Sequence, residues 1–199
     1  MCIRDSGKTV QELEFCRLAV AHESGYALIV LPLGVRQEFA RDAVRLLGWP
    51  SAPAYVRTME EARQVMRRVE AQETAEDGHT AGACRVMMTN YERVRDGDMD
   101  PEAFTATSLD EASVLRSFGS KTYQTFLDKF RGVRYKLVST ATPSPNRYKE
   151  LIHYAGYLDV MDTGQALTRF FQRDSTKANN LTLYPHKAEE FWLLSLIHI

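Results

Sequence analysis

Two adjacent carboxylates, Asp110 and Glu111, close a charge-free run from Phe104 to Leu109. A buried strand that ends at a metal-handling site has this form. Mg²⁺ takes one or two carboxylates together with phosphate oxygens and water, so Asp110 could hold a hydrated Mg²⁺. Glu111 could then orient or deprotonate a neighbouring water. Taken alone, an Asp-Glu pair more often marks a solvated acidic turn, because charged pairs usually sit on exposed faces. Two further stretches change that weighing: Gly7-Lys8-Thr9 upstream and Ser139-Thr140-Ala141-Thr142-Pro143 downstream.

Gly7-Lys8-Thr9 matches the last three residues of the phosphate-binding loop G-x-x-x-x-G-K-[ST]. In such a loop, backbone N–H groups and a helix N-terminus cradle phosphates. The Lys meets the outer phosphates and the Thr hydroxyl helps to hold Mg²⁺. The three letters alone are a weak signal, and the strand that should precede the loop is missing from the pattern.

The elements that must position these residues alternate along the chain. Val10, Leu13, Cys16 and Val20 recur at spacings of three and four, which predicts a helix directly after Thr9. Tyr26 to Leu31 is a continuous apolar run, the form of a strand buried on both faces of a parallel sheet. Pro32 and Gly34 end it. Phe39, Ala43 and Leu46 predict the inner face of the next helix. Pro53 to Thr58 could hold a short strand. Met59, Ala62, Met66 and Val69 predict an amphipathic helix whose methionines belong to the core and whose Arg67 and Arg68 are solvated. Ala71 to Ala83 is small, polar and acidic, a surface loop in which His79 has no neighbouring ligand candidates. Cys84 to Thr89 predicts a strand with Asn90-Tyr91 at its carboxyl end. Asp100-Pro101 has the form of a helix start. Tyr123, Phe126, Leu127 and Phe130 predict another helix, with Gly132 placed to stop it. Tyr135 to Ala141 predicts a strand, and Tyr148, Leu151, Ile152 and Ala155 a helical face. Beyond Met161 the pattern weakens: Leu167, Phe170 and Phe171 suggest a short helix, Leu181 to Tyr184 a strand and Lys187 to Leu193 a helix. Strands alternating with helices predict an α/β fold, a parallel sheet with helices on both faces.

Composition excludes several classes. The chain has 199 residues, 44% hydrophobic and 26% charged, as in an ordinary soluble domain. A net charge of −1 supplies no global basic field, so any nucleic-acid contact must come from a local face. No apolar run approaches the roughly 20 residues of a membrane helix, and no secretory signal is visible. Cys2, Cys16 and Cys84 have neither metal-like spacing nor a disulfide pattern, so a reducing, cytoplasmic setting is expected.

The two ends read as scars. Residues 1–6 (Met-Cys-Ile-Arg-Asp-Ser) can be encoded by a DNA whose reverse complement translates as residues 194–199 (Leu-Ser-Leu-Ile-His-Ile). That DNA resembles a transposon-end adaptor. Both segments are therefore set apart from fold reasoning, and the natural reading frame is expected to continue in both directions.

Gly-Lys-Thr, then Asp110-Glu111-Ala112-Ser113, then Ser139-Thr140-Ala141-Thr142-Pro143 resembles the first RecA-like lobe of superfamily 2 helicases and translocases, in the Snf-type or phage-helicase branch. The resemblance covers residues 7–160, with 161–193 as an appendage or the approach to a second lobe. It implies a P-loop NTPase lobe whose first strand and part of whose phosphate loop are missing. It implies ATP and Mg²⁺ as cofactors and DNA as partner, with RNA as the alternative. Gly7, Lys8, Thr9 and Gln11 match the nucleotide-binding motif, and Thr9 and Asp110 the Mg²⁺ positions. Lys8, Asp110 and Glu111 match the catalytic set. Ser139, Thr140 and Thr142 match the motif that couples nucleotide to nucleic acid. Pro32, Leu33, Thr89, Asn90 and Tyr91 match stretches that lie along nucleic acid. No membrane contact is implied, and the setting is the cytoplasm of a bacterial or phage-infected cell. Nothing matches the second RecA-like lobe, whose arginines usually complete the ATP site. Two other readings stay open: a different P-loop NTPase, and a non-catalytic nucleic-acid-binding module.

Overall fold

The charge-free runs become the strands of one parallel sheet. In the computed structural model the described residues are 7–72, 83–112, 115, 121–140, 150–173 and 181–198. The chain divides into two compact units, bounded as Met1–Glu111 with Asp128–Ala141, and Ala112–Leu127 with Thr142–Ile199.

The first unit holds β1 (Ala27–Leu31), β2 (Ala54–Tyr55), β3 (Val86–Asn90), β4 (Ala106–Asp110) and β5 (Tyr135–Ser139), in the order β2-β3-β1-β4-β5 with every pairing parallel. All five residues of β1, β3 and β4 are buried. A strand buried on both faces needs cover on both, which explains why these runs read as continuously apolar rather than alternating. The cover comes from α1 (Lys8–Glu23), α2 (Arg36–Arg45), α3 (Met59–Gln72) and the short α4 (Tyr91–Asp96). One core joins Leu13, Cys16 and Val20 of α1 and Phe39 and Ala43 of α2 to Ile29, Met88 and Ala106 of the sheet. Helix α3 is tied down by its buried Ala62 and Val69 and by the Tyr26 hydroxyl, which donates to the Met66 carbonyl at 3.1 Å. Met59 and Met66 are half-buried.

The second unit takes the first residues of α5 (Lys121–Lys129), then α6 (Glu150–Tyr157), α7 (Thr163–Phe170), the antiparallel pair β6 (Phe171–Arg173) and β7 (Leu181–Leu183), and α8 (Ala188–His198). Phe191 meets Phe170 and Phe171 edge-on, each at 5.5 Å between centroids. Tyr123 is fully buried, and its hydroxyl lies 3.1 Å from that of Thr163. The close approach requires Gly156, where a Cβ would come within 2.5 Å of Thr163 Oγ1.

The α/β fold, the parallel sheet and the helices on both faces match the expectation from sequence. Local details differ. Leu46 is 65% exposed: α2 ends at Arg45, and Leu47 and Trp49 pack on the core in its place. Ala83 and Cys84 form a helical turn, and the strand begins only at Val86. Gly132 does not terminate α5, which ends at Lys129. The Gly132 N–H instead donates to Glu102 Oε1 at 3.0 Å. Phe171 leaves the helix and starts β6. Asp100 does cap a turn, accepting from the Glu102 N–H, but the turn is a single 3₁₀ one. The loop centred on residues 73–82 and the polar stretch 174–180 lie outside the described residues. No helix among the described residues is long and apolar enough to cross a membrane.

Candidate functional site

Four strands of the first unit end at one edge, and the singled-out residues collect there. Leu31, Asn90, Asp110 and Ser139 are the last residues of β1, β3, β4 and β5. Leu31 pairs in register with Asn90, and Asp110 with Ser139. Pro32, Tyr91, Glu111 and Thr140 follow directly. Ligands of open α/β sheets bind at this carboxyl edge. Thr142 lies outside the described residues.

Helix α1 brings the upstream motif to the same edge. Gly7 is its N-cap in the left-handed region, with φ +73°, and makes no side-chain cap. A residue with a Cβ would be strained there. The amino end of the helix thus lies at Lys8 and Thr9, and a helix amino end is suited to an anion. Lys8 and Thr9 are half-exposed and Gln11 is exposed. Burial pushes the Asp110 carboxyl above its ordinary range, the positive charge of Lys8 pulls it back down, and Glu111 pushes it up again. The Lys8 charge thus reaches the Asp110 carboxyl at this edge. A threonine hydroxyl and one carboxylate, with phosphate oxygens and water completing the shell, form a donor set that fits Mg²⁺, and the lysine ammonium suits the phosphates themselves.

Glu111 has φ +49°, in the left-handed region that side-chain-bearing residues avoid. That conformation costs roughly 1–2 kcal/mol. Its Oε1 accepts a long hydrogen bond, 3.4 Å, from the Thr140 hydroxyl. Strain of this kind concentrates where a side chain must be aimed. Tyr91, from the stretch after β3, donates its hydroxyl to the Asp110 carbonyl at 2.6 Å. Two expected motifs thus meet through one hydrogen bond.

The residues expected along nucleic acid separate into two groups. Thr89 is fully buried and its hydroxyl donates to the Val56 carbonyl at 2.8 Å, so its side chain is committed to the fold. Leu33 is 58% exposed and lines a cleft of about 470 Å³ together with Asn90. Asn90 accepts from the Tyr55 hydroxyl at 3.0 Å. Sequence reasoning passed over the arginines of this cleft. Arg36 lies over the Tyr55 ring, 4.8 Å from its centroid, and Arg57 and Arg93 complete the lining. Arg93 is paired with Asp98 at 2.8 Å. The Arg36 and Arg57 guanidinium groups are in no ion pair among the described residues, while the Arg57 backbone N–H donates to Glu61 Oε2 at 2.7 Å and Asn90 Nδ2 donates to Glu92.

Glu12 was the other omission. It is 1% exposed, and its Oε2 accepts from the Ser108 hydroxyl at 2.7 Å. Burial, then the nearby Asp110, pushes its carboxyl up to about 8. Both carboxyls of the pair are raised, and burial, deeper at Glu12, is the largest cause for each.

No family model matches this chain. It is similar to a solved structure described as the crystal structure of Pyrococcus furiosus Hef helicase domain, at 16% identity and a TM-score of 0.30, covering 77% of this chain and 37% of that one. The likeness is too distant to bear on activity.

Proposed function

We propose that the chain is the ATP-binding lobe of an ATP-dependent DNA helicase or translocase, of the RecA-like superfamily 2 kind. The observation that carries this reading is the placement of the Lys8 end of α1 beside Asp110 at the carboxyl edge of a parallel sheet. In this reading Lys8 binds the outer phosphates of ATP, and the Gly7 turn leaves the first N–H groups of α1 free to do the same. Thr9 and Asp110 hold Mg²⁺. The ion, when bound, neutralises charge that builds on the phosphate oxygens. Glu111 takes a proton from, or aligns, the attacking water. Thr140 holds Glu111 and so couples the end of β5 to that step. The Arg36, Arg57 and Arg93 cleft receives the nucleic-acid backbone, beside Leu33 and Asn90.

The Snf-type or phage branch rests on the Gly-Lys-Thr-Val-Gln and Asp-Glu-Ala-Ser letters. The test is DNA-stimulated ATP hydrolysis by the protein made from the complete open reading frame that contains this chain. Activity is expected there, and Lys8→Ala and Glu111→Gln should each remove it. The 199-residue chain by itself should hydrolyse little or no ATP, since a missing arginine finger alone lowers such rates by about 10³–10⁵. A complete protein that binds DNA but never hydrolyses ATP would overturn the reading.

A further inference from the structure

Glu12 sits one turn into α1, on the face turned to the sheet, and the nucleotide reading leaves it unused. Helix α1 lies against β1, β4 and β5. Ser108, Asp110 and Ser139 share the sheet face beneath it: Ser108 is two residues before Asp110, and Asp110 pairs with Ser139. The Ser108 hydroxyl anchors one Glu12 oxygen, Oε2. The other, Oε1, is buried without a hydrogen bond of ordinary geometry. The Asp110 and Ser139 side chains are close enough to act on the same carboxyl. A buried carboxyl is expensive unless its neighbours use it, and an apolar side chain would fill this space more easily.

Resting on the reading of Asp110 as the Mg²⁺ carboxylate, we propose that Glu12 is a positioning residue that aims the Asp110 side chain at the metal from behind, with Ser108 as its anchor. Asp110 meets the ion; Glu12 acts only through Asp110. Such partners behind a ligand typically change metal affinity or activity by about 10- to 100-fold.

The test uses protein from the complete reading frame, with two readouts: Mn²⁺ binding in the presence of ADP, followed by electron paramagnetic resonance, and the Mg²⁺ concentration that gives half-maximal ATPase. Glu12→Met keeps the length and removes the hydrogen bonds. It should raise both midpoints about tenfold while the thermal transition stays cooperative. Glu12→Gln retains a donor and an acceptor, and should move the midpoints less than threefold. Ser108→Ala removes the anchor without adding bulk, and should shift both midpoints in the same direction as Glu12→Met. Midpoints in Glu12→Met equal to wild type overturn the proposal. If that variant fails to fold, unchanged midpoints in Ser108→Ala overturn it. A wild-type protein with neither ATPase nor ADP-dependent Mn²⁺ binding defeats the reading of Asp110 itself, and this proposal with it.

Discussion

Ser108 donates its hydroxyl to Glu12 at 2.7 Å across 96 positions of sequence, and both side chains are closed to solvent. A titration consequence follows for the folded chain. The Glu12 carboxyl is pushed from an ordinary 4.5 up to about 8 by burial. Between those values the folded chain holds a proton that the unfolded chain releases. The contribution of Glu12 to stability is therefore greatest below the ordinary carboxyl range and falls as pH rises towards 8. The slope contributed by one such group reaches at most about 1.4 kcal/mol per pH unit. Urea unfolding at pH 5.5, 7 and 8.5 should show this decline, and Glu12→Gln should flatten it. Parallel declines in both proteins would sink the assignment of the proton to Glu12.

Tyr91 ties the start of α4 to the Asp110 carbonyl. Tyr91→Phe keeps the ring and deletes the hydroxyl. A loss of about 0.5–1.5 kcal/mol in unfolding free energy is expected, the usual net worth of one such bond. Denaturant curves would check it, and a midpoint identical to wild type would show that the bond contributes nothing.

The arginine-lined cleft makes a binding prediction. The Arg36 and Arg57 guanidinium groups are in no ion pair among the described residues, and each phosphate contact adds to the salt dependence of binding. Replacing both with Glu should weaken binding of a fluorescein-labelled single-stranded oligonucleotide at least tenfold at low salt. It should also reduce the log–log salt slope by about two. Fluorescence anisotropy across a salt series measures both, and an unchanged slope would remove the cleft from the nucleic-acid path.

Gly25 makes a packing prediction. A Cβ there would fall 1.8 Å from Thr105 Oγ1 and 2.8 Å from Thr105 Cβ. Gly25→Ala must push β1 away from the residue that precedes β4. Overpacking of this kind costs about 1–3 kcal/mol, and Thr105→Gly in the same chain should recover part of it. A melting temperature unaffected by Gly25→Ala would contradict the close approach.

Much of the scaffold was legible because parallel strands buried on both faces announce themselves as unbroken apolar runs. Tyr26 to Leu31 became β1, and the run ending at Leu109 became β4 with Asp110 as its last residue. The site was legible where chemistry follows chain order: Lys8 opens a helix, and Asp110 and Ser139 end neighbouring strands. Glu12 was hidden for a physical reason. Beside the stripe of Val10, Leu13 and Cys16, an acid reads as the solvated side of a helix. Only the packing of α1 onto the sheet buries it against Ser108. Leu46 failed in the opposite sense: its periodicity continues that of α2, but the helix stops one residue earlier. The arginines of the cleft come from three separate segments, so no local spacing could have grouped them.

The outermost position of β5 has a consequence for handling the protein. It pairs with β4 alone among the described strands, and four of its five residues are only half-buried, whereas β1, β3 and β4 are sealed. A margin of that kind is a template on which another extended segment can zip. Concentrated preparations of this chain should self-associate along it, and a proline placed in β5 should keep them dispersed.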